Sequence, residues 1–139
     1  MKRNPAKGFT ILELLVVLAI IGVLSSIAVI QYSNAQAKSR DAKRISDIRE
    51  IEKALNLYFV DNNVFPIIPE ILEITGEDEL SQILESKFYI SEVPPDPNHP
   101  TYKYTYESNS TGTDYNITFC LETPIISSFE KGCDNIINP

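Results

Sequence analysis

The sequence predicts an α+β fold, in which one long N-terminal helix is packed by a small head built around an antiparallel β-sheet. Two observations predict it. Residues 9–61 contain no proline, and their apolar side chains form first an uninterrupted run and then a helical repeat. Two later runs, residues 102–106 and 115–121, alternate in character and flank a turn-rich segment. The first feature predicts the helix and the second predicts a hairpin in the head, residues 62–139.

The first half of the helix, residues 9–30, has the length and composition of a membrane span. A helix needs about 20 apolar residues to cross a bilayer. A secretory signal would have a shorter apolar region and a cleavage site beyond its far end, but residues 30–34 offer no such site. The small residue at the near boundary is Gly8, which ends a basic leader of residues 1–8. A cut after Gly8 would remove the leader and keep the span.

The span carries one charged side chain, Glu13. An ionised group at mid-bilayer costs roughly 2.5 to 3.5 kcal/mol and usually has a partner. One interpretation pairs Glu13 with the α-amino group that a cut after Gly8 would free, on the same or a neighbouring subunit. In the other, Glu13 lies at the headgroup level and is favoured by the positive end of the helix dipole. The residues alone leave both interpretations open.

The segment GFTILE at residues 8–13, followed by the apolar run, resembles the prepilin leader of type IV pilins and type II secretion pseudopilins. The resemblance implies a pilin-like fold and processing by a membrane peptidase. That enzyme would cleave after Gly8 and methylate the new N-terminus at Phe9. Glu13 would become the fifth residue of the product and an assembly contact.

The second half of the helix, residues 31–61, is predicted to be amphipathic. Its apolar residues recur at steps of three and four: Ala42, Ile45, Ile48, Ile51, Leu55 and Tyr58 or Phe59. The charged residues between them are predicted to form a solvated face: Arg40, Asp41, Lys43, Arg44, Asp47, Arg49, Glu50, Glu52 and Lys53. The helix is expected to end near residues 61–63. Residues 54–66 resemble a signature of the major pseudopilins, with Asn63 where glycine is usual and Phe65 where tyrosine is usual.

In the head, the sequence predicts a short helix at residues 80–86 with acidic residues in its first turn. A proline-rich stretch, residues 93–100, excludes helix and central strand. The hairpin of residues 102–106 and 115–121 follows, and we expect it to pack on the apolar stripe of the long helix. A third strand is expected near residues 125–126 or 136–137.

The two cysteines, Cys120 and Cys133, are predicted to form a disulfide if the head lies outside the cytoplasm. Closing a loop of this size contributes about 3 kcal/mol in the chain-entropy model. The bridge would tie the C-terminal tail to the sheet. The alternative is a pair of free thiols.

Charge and composition argue against a nucleic-acid partner. The formal net charge is −7, and loss of Lys2, Arg3 and Lys7 with the leader would make it −10. From Asp61 onward there are 14 acidic and 3 basic residues, whereas phosphate binding needs clustered Lys and Arg.

Catalytic and metal-binding patterns are missing from the sequence. His99 is the single histidine and lies in the proline-rich loop, where a solvated role is favoured over that of a catalytic base. We therefore expect no enzymatic activity and no cofactor. The major pseudopilins bind calcium in their C-terminal region, but the acidic residues there have no regular ligand spacing. They are read as acidic surface rather than as a calcium site: Asp114, Glu122, Glu130 and Asp134.

The function predicted is that of a structural subunit of a type IV pilus-like filament, cleaved after Gly8, methylated at Phe9 and assembled through its N-terminal helix. A pseudopilin of a type II secretion system is the alternative, and a single-span membrane-anchored binding domain or enzyme is the outside alternative. The resemblance implies identical or related subunits, a prepilin peptidase/methyltransferase, and an assembly platform with its ATPase as partners. The subunit would first cross the cytoplasmic membrane once with its head outside, and then join a periplasmic or extracellular filament.

Overall fold

The architecture is taken from a computed structural model that describes residues 8–124 and 129–139, with the side chains of all of these except 28–30. The described chain forms two units, and the division falls after Gln36.

The long helix, α1, runs over Ile11–Asn62. It begins two residues later than the sequence predicted and ends where it was expected. Asn63 has φ 58°, and its backbone N–H donates to the carbonyl of Phe59 at 2.8 Å. This left-handed residue closes the helix as glycine commonly does, because asparagine tolerates that conformation.

In the N-terminal unit, every described side chain from residue 8 to residue 27 is exposed. In the described part of the chain, α1 is the one helix that is long and apolar enough to cross a membrane. None of the described residues of this unit covers its apolar surface.

The head contains a four-stranded antiparallel sheet in which the strands lie in chain order. The strands are β1 (Leu72–Ile74), β2 (Tyr104–Ser108), β3 (Tyr115–Leu121) and β4 (Gly132–Ile137). The predicted hairpin is therefore present as β2 and β3, with β2 beginning two residues later than expected. The expected strand at residues 136–137 is confirmed by β4, and its alternative at residues 125–126 lies outside the described residues. The sequence did not predict β1.

The core of the head lies between the sheet and the second half of α1. The middle of the predicted apolar stripe is buried there, at Ile48, Ile51 and Leu55, each with no exposed area. They pack in one cluster with strand residues Tyr104, Tyr106, Tyr115, Ile117, Phe119 and Leu121. This confirms the predicted packing of the hairpin on the helix, although Ala42 at the start of the stripe is exposed.

The predicted solvated face is wrong at three positions, because Asp41, Arg44 and Asp47 are buried. They lie on α1 on the side that faces the head, where residues distant in sequence supply their partners.

The short helix α2 (Glu79–Ser86) agrees with the prediction. Its N-cap is Asp78, whose side chain accepts hydrogen bonds from the backbone N–H of Ser81 at 3.0 Å and of Thr75 at 2.7 Å. Such a cap satisfies N–H groups that the first turn of a helix leaves free. The local acidic signal in the sequence was therefore sufficient to locate α2.

The disulfide between Cys120 and Cys133 is present and joins β3 to β4. It closes a separation of 13 residues and holds the C-terminal strand against the sheet.

Candidate functional site

The predicted site at the N-terminus lies where α1 begins. Glu13 Oε2 accepts hydrogen bonds from the backbone N–H of Thr10 at 2.8 Å and from its Oγ1 at 2.9 Å. In return, the backbone N–H of Glu13 donates to Thr10 Oγ1 at 3.2 Å. This reciprocal arrangement is a capping box, in which a threonine and a glutamate three residues later satisfy each other's free N–H groups.

The capping box gives Glu13 a role inside a single chain. It favours the interpretation in which the carboxylate is held near the positive end of the helix dipole. Both bonds go to Oε2, so within the described residues Oε1 accepts no hydrogen bond. The same carboxylate therefore retains an oxygen that a cationic amine could approach.

The predicted cleavage position is sterically open. Gly8 and Phe9 are exposed, Phe9 to 80%. A Cβ added at Gly8 would meet no heavy atom within 4 Å. Any requirement for glycine at this position would thus come from an enzyme that reads the sequence rather than from packing within the described chain.

A second charged cluster lies in the head and centres on Arg44, whose side chain has no exposed area. Its Nε donates to Asp96 Oδ2 at 2.7 Å and its Nη2 donates to Asp96 Oδ1 at 3.1 Å, a two-point pairing. Its Nη1 donates at 2.7 Å to both Asp41 Oδ1 and Glu122 Oε1. One guanidinium thereby connects α1 to the proline-rich loop and to the residue that follows β3.

The other members of this Arg44 cluster are also fully engaged. Arg40 Nε donates to Glu122 Oε1 at 2.8 Å. Asp41 accepts from the backbone N–H groups of Glu122 and Thr123 and from the Thr123 hydroxyl. The ring of Tyr102 lies 4.8 Å from the guanidinium carbon of Arg44, a cation–π contact.

These contacts shift the pKa values of Glu122, Asp41 and Arg44 toward their charged forms. The hydrogen bond from Arg40, with further help from Arg44, lowers the pKa of Glu122 to about 2. Burial would raise the pKa of Asp41, but the N–H and O–H donors from Glu122, Thr123 and Arg44 outweigh it and lower that pKa. Burial would also lower the pKa of Arg44, and its bonds to Asp96, Glu122 and Asp41 raise it instead.

Asp47 behaves differently, since burial raises the pKa of its carboxyl group. Its oxygens lie 3.0 Å from Lys43 Nζ and 3.4 Å from the Tyr104 hydroxyl. It is therefore the least strongly satisfied acid on the inner side of α1.

Sequence reasoning missed the Arg44 cluster because the positions of Arg40, Asp41 and Arg44 are typical of an exposed face. The sequence contains only part of the information needed to locate the Arg44 cluster. Asp96 follows two prolines in a stretch unable to form helix, and Glu122 directly follows a strand, but neither position indicates which cation it would meet.

The remaining residues that the sequence singled out are His99 and four acids of the C-terminal region. His99 is at the surface, with Nε2 2.8 Å from Glu73 Oε1. Of the four acids considered for calcium, Glu122 belongs to the Arg44 cluster, while Asp114, Glu130 and Asp134 are exposed. Over residues 8–124 and 129–139, no group of three or more His, Cys, Asp or Glu side chains has a metal-binding arrangement.

Comparison with protein families gives two matches that together cover most of the chain. Residues 3–29 match the prokaryotic N-terminal methylation motif. Residues 30–120 match the type II secretion system protein G family. The boundary between the two matches falls within α1.

Individual relatives agree with these matches. The chain is 37% identical over 98 residues to the type II secretion system core protein G of Escherichia coli K12, which covers 68% of each chain. It is 33% identical over 102 residues to the protein of the same name from Aeromonas hydrophila, covering 70% of this chain and 71% of that one. The Klebsiella michiganensis core protein G matches over 139 residues at 29% identity, covering 98% of this chain and 89% of that protein. No solved structure gives a significant match.

Proposed function

Because the chain belongs to the type II secretion system protein G family, we propose that it is the pseudopilin of a type II secretion system, processed after Gly8 and methylated at Phe9. It is a pilin-like structural subunit, and the comparisons favour the secretion alternative over a pilus. The match to a protein G family model over residues 30–120 carries this choice.

The N-terminal geometry supports the processing and assembly steps. Gly8 and Phe9 are accessible to a membrane peptidase and methyltransferase. Cleavage creates an amine one turn of chain away from Glu13, whose Oε1 is available. In the assembled filament, Glu13 pairs with the methylated amine of Phe9 on a neighbouring subunit, and the capping box holds the carboxylate before assembly.

The exposed apolar side chains of residues 9–27 support a proposal in which this segment occupies two environments in succession. Before assembly they lie in the lipid of the cytoplasmic membrane, with the basic leader inside and the head outside, as the positive-inside rule favours. During assembly they leave the lipid and pack against the same segment of other subunits. An assembly platform and an ATPase supply the work for this transfer.

The chain itself has no enzymatic role in this proposal. Its charged clusters are occupied by internal ion pairs, as the bonding of Arg44 illustrates. The head serves as the folded, exposed part of the subunit.

Intact-mass analysis of the protein purified from its own membrane tests the processing step. The expected product begins at Phe9 and carries one added methyl group. A product beginning at Met1, or an unmethylated Phe9, would contradict the proposal and favour the membrane-anchored alternative.

Glu13→Val tests the assembly role of the carboxylate. We expect insertion and cleavage to be largely unchanged and filament assembly or methylation to fall, since the variant keeps an apolar span but cannot bind an amine. Leu15→Val is the matched control, because it introduces the same side chain at an exposed neighbouring position. Normal, fully methylated filaments from Glu13→Val would show that the charge is incidental.

Deletion of the gene distinguishes the secretion system from a pilus. A pseudopilin predicts that exported proteins accumulate in the periplasm. Normal secretion together with loss of surface filaments would instead identify a pilus subunit.

A further inference from the structure

One face near the end of α1 is both basic and apolar, and the head leaves it uncovered. Arg49, Lys53, Leu57 and Val60, here called the helix face, follow one another at steps of four, four and three, so they share one side of the helix. Leu57 is 53% exposed and Val60 is 74% exposed. The core-facing residues lie on the other side of the helix.

The two cations of the helix face are weakly engaged within the chain. Arg49 lies 3.8 Å from Glu52, with its side chain 60% exposed, and Lys53 forms no salt bridge with the described residues. This contrasts with Arg40 and Arg44, whose charges are taken up by the internal cluster. Surface pairs such as that of Arg49 contribute little, so both cations can bind an external carboxylate.

A groove of about 520 Å³ on the head has the opposite character. Its lining includes Ile67 and Ile71, exposed to 50% and 71%, beside the exposed Glu70 and Glu79. These four residues are here called the acidic groove. The acidic groove therefore presents two apolar side chains and two carboxylates. The helix face presents two apolar side chains and two cations, so the two surfaces are complementary in charge.

The rest of the charge distribution makes a second copy of this chain the fitting occupant. A processed subunit would carry a formal net charge of −10, so copies repel unless their few free cations lie at the contact. We propose that the helix face of one subunit docks in the acidic groove of the next subunit. Because the two surfaces differ, the contact is head-to-tail and can repeat along a filament.

This inference rests on the proposed filament function, and a charge exchange tests it. In cells that assemble the wild-type filament, Lys53→Glu and Glu70→Lys are made singly and together. Each single reversal places like charges against each other and should lower the filament yield about tenfold. The double variant restores an opposite pair and should return the yield to near the wild-type value.

The matched control is Lys53→Glu combined with Glu92→Lys. Glu92 is exposed and lines a different groove, beside Pro94. This pair has the same net charge as the exchange variant but does not rebuild the contact, so its yield should stay as low as that of Lys53→Glu alone. Equal recovery in both doubles would overturn the proposal, because net charge alone would then explain the result. Single variants that assemble like the wild type would also overturn it.

Cysteine cross-linking measures the contact directly. With Leu57→Cys and Ile71→Cys in one chain, mild oxidation of filaments should yield a ladder of covalent multimers on non-reducing gels. Leu57→Cys paired with Glu92→Cys should give none. A ladder from the control pair, or none from the Leu57 and Ile71 pair, contradicts the assigned register.

The two levels of the proposal fail in different ways. If the wild-type chain forms no filament, the proposed function fails and the contact fails with it. If the wild-type filament forms but the charge exchange or the cross-link gives the contrary result, only the contact fails. Urea unfolding of each variant confirms that the head is folded, so a loss of filament is a loss of docking.

Discussion

The N-terminal unit and the head each contain a charged side chain among apolar residues, and each stabilises that charge in a different way. Glu13 is met by Thr10, three residues earlier on the same helix end. Arg44 is met by Asp96 and Glu122, which are 52 and 78 residues away. The first arrangement exists as soon as one turn of helix forms, whereas the second exists only when the whole head is folded.

The difference extends to the apolar residues of the two regions. From residue 8 to residue 27 every described side chain is exposed, while the head buries a continuous core around Ile51, Leu55 and Tyr106. The head can therefore be stable alone, and the N-terminal segment needs lipid or other subunits. Variants in the head should alter unfolding, and variants in the N-terminal unit should alter assembly.

The largest effect should come from Arg44→Ala, which leaves Asp41, Asp96 and Glu122 without their shared cation. Removing one partner of a buried ion pair costs about 3 to 5 kcal/mol, and we expect a loss in this range in the free energy of unfolding. Urea titration of the full chain in detergent, followed by tyrosine circular dichroism, measures it. Arg49→Ala is the control, since its exposed side chain should contribute within about 0.5 kcal/mol. Similar losses for both variants would show that the Arg44 cluster is not the source of the lost stability.

Loss of the disulfide should have the next largest effect. Cys120→Ser with Cys133→Ser should lower the free energy of unfolding by about 3 kcal/mol, because the bridge closes a separation of 13 residues. The wild-type chain should reach the same stability after full reduction, which controls for the new hydroxyl groups. A reduced wild-type head with unchanged stability would mean that β4 is held by its pairing alone.

The pH dependence of unfolding should show the contribution of Glu122, and Asp41, whose pKa is also lowered, acts in the same direction. The pKa of Glu122 is about 2 in the folded head and ordinary when unfolded, so the stability it provides is complete above the unfolded pKa and is lost as the pH falls toward 2. Linkage predicts a loss of about 2 kcal/mol between pH 7 and pH 3. Asp47, whose pKa is raised, acts in the opposite direction over part of this range.

Glu122→Gln is the matching variant for the pH experiment. It should be less stable than the wild type at pH 7, and the difference should become small near pH 2, where about half of the wild-type carboxyl groups in the folded head are protonated. A constant difference across the whole pH range would show that the charge of Glu122 is not what stabilises the head.

The features of the fold that depend on neighbouring residues could be predicted from the sequence, whereas those that depend on distant residues could not. The end of α1 at Asn62, the position of α2 and the β2–β3 hairpin all depend on neighbouring residues, and the sequence indicated each of them. The three-residue β1 has no alternating pattern long enough to detect, and its partner β2 lies about thirty residues onward. The burial of Asp41 and Arg44 depends on residues after position 90, so a helical pattern read by itself placed them in solvent.

The smallest predicted effects come from removing the N-cap of a helix in each of the two regions. Asp78→Ala removes the N-cap of α2 and should lower the free energy of unfolding of the head by about 1 kcal/mol. Thr10→Ala removes the hydroxyl of the α1 capping box, yet it should leave the unfolding midpoint of the head unchanged, because the first turn of α1 has no described packing partner. Its effect should appear only as faster amide exchange in that turn. If Thr10→Ala shifted the unfolding midpoint as much as Asp78→Ala, the N-terminal unit would be coupled to the stability of the head, and the separation of folding from assembly along this chain would be wrong.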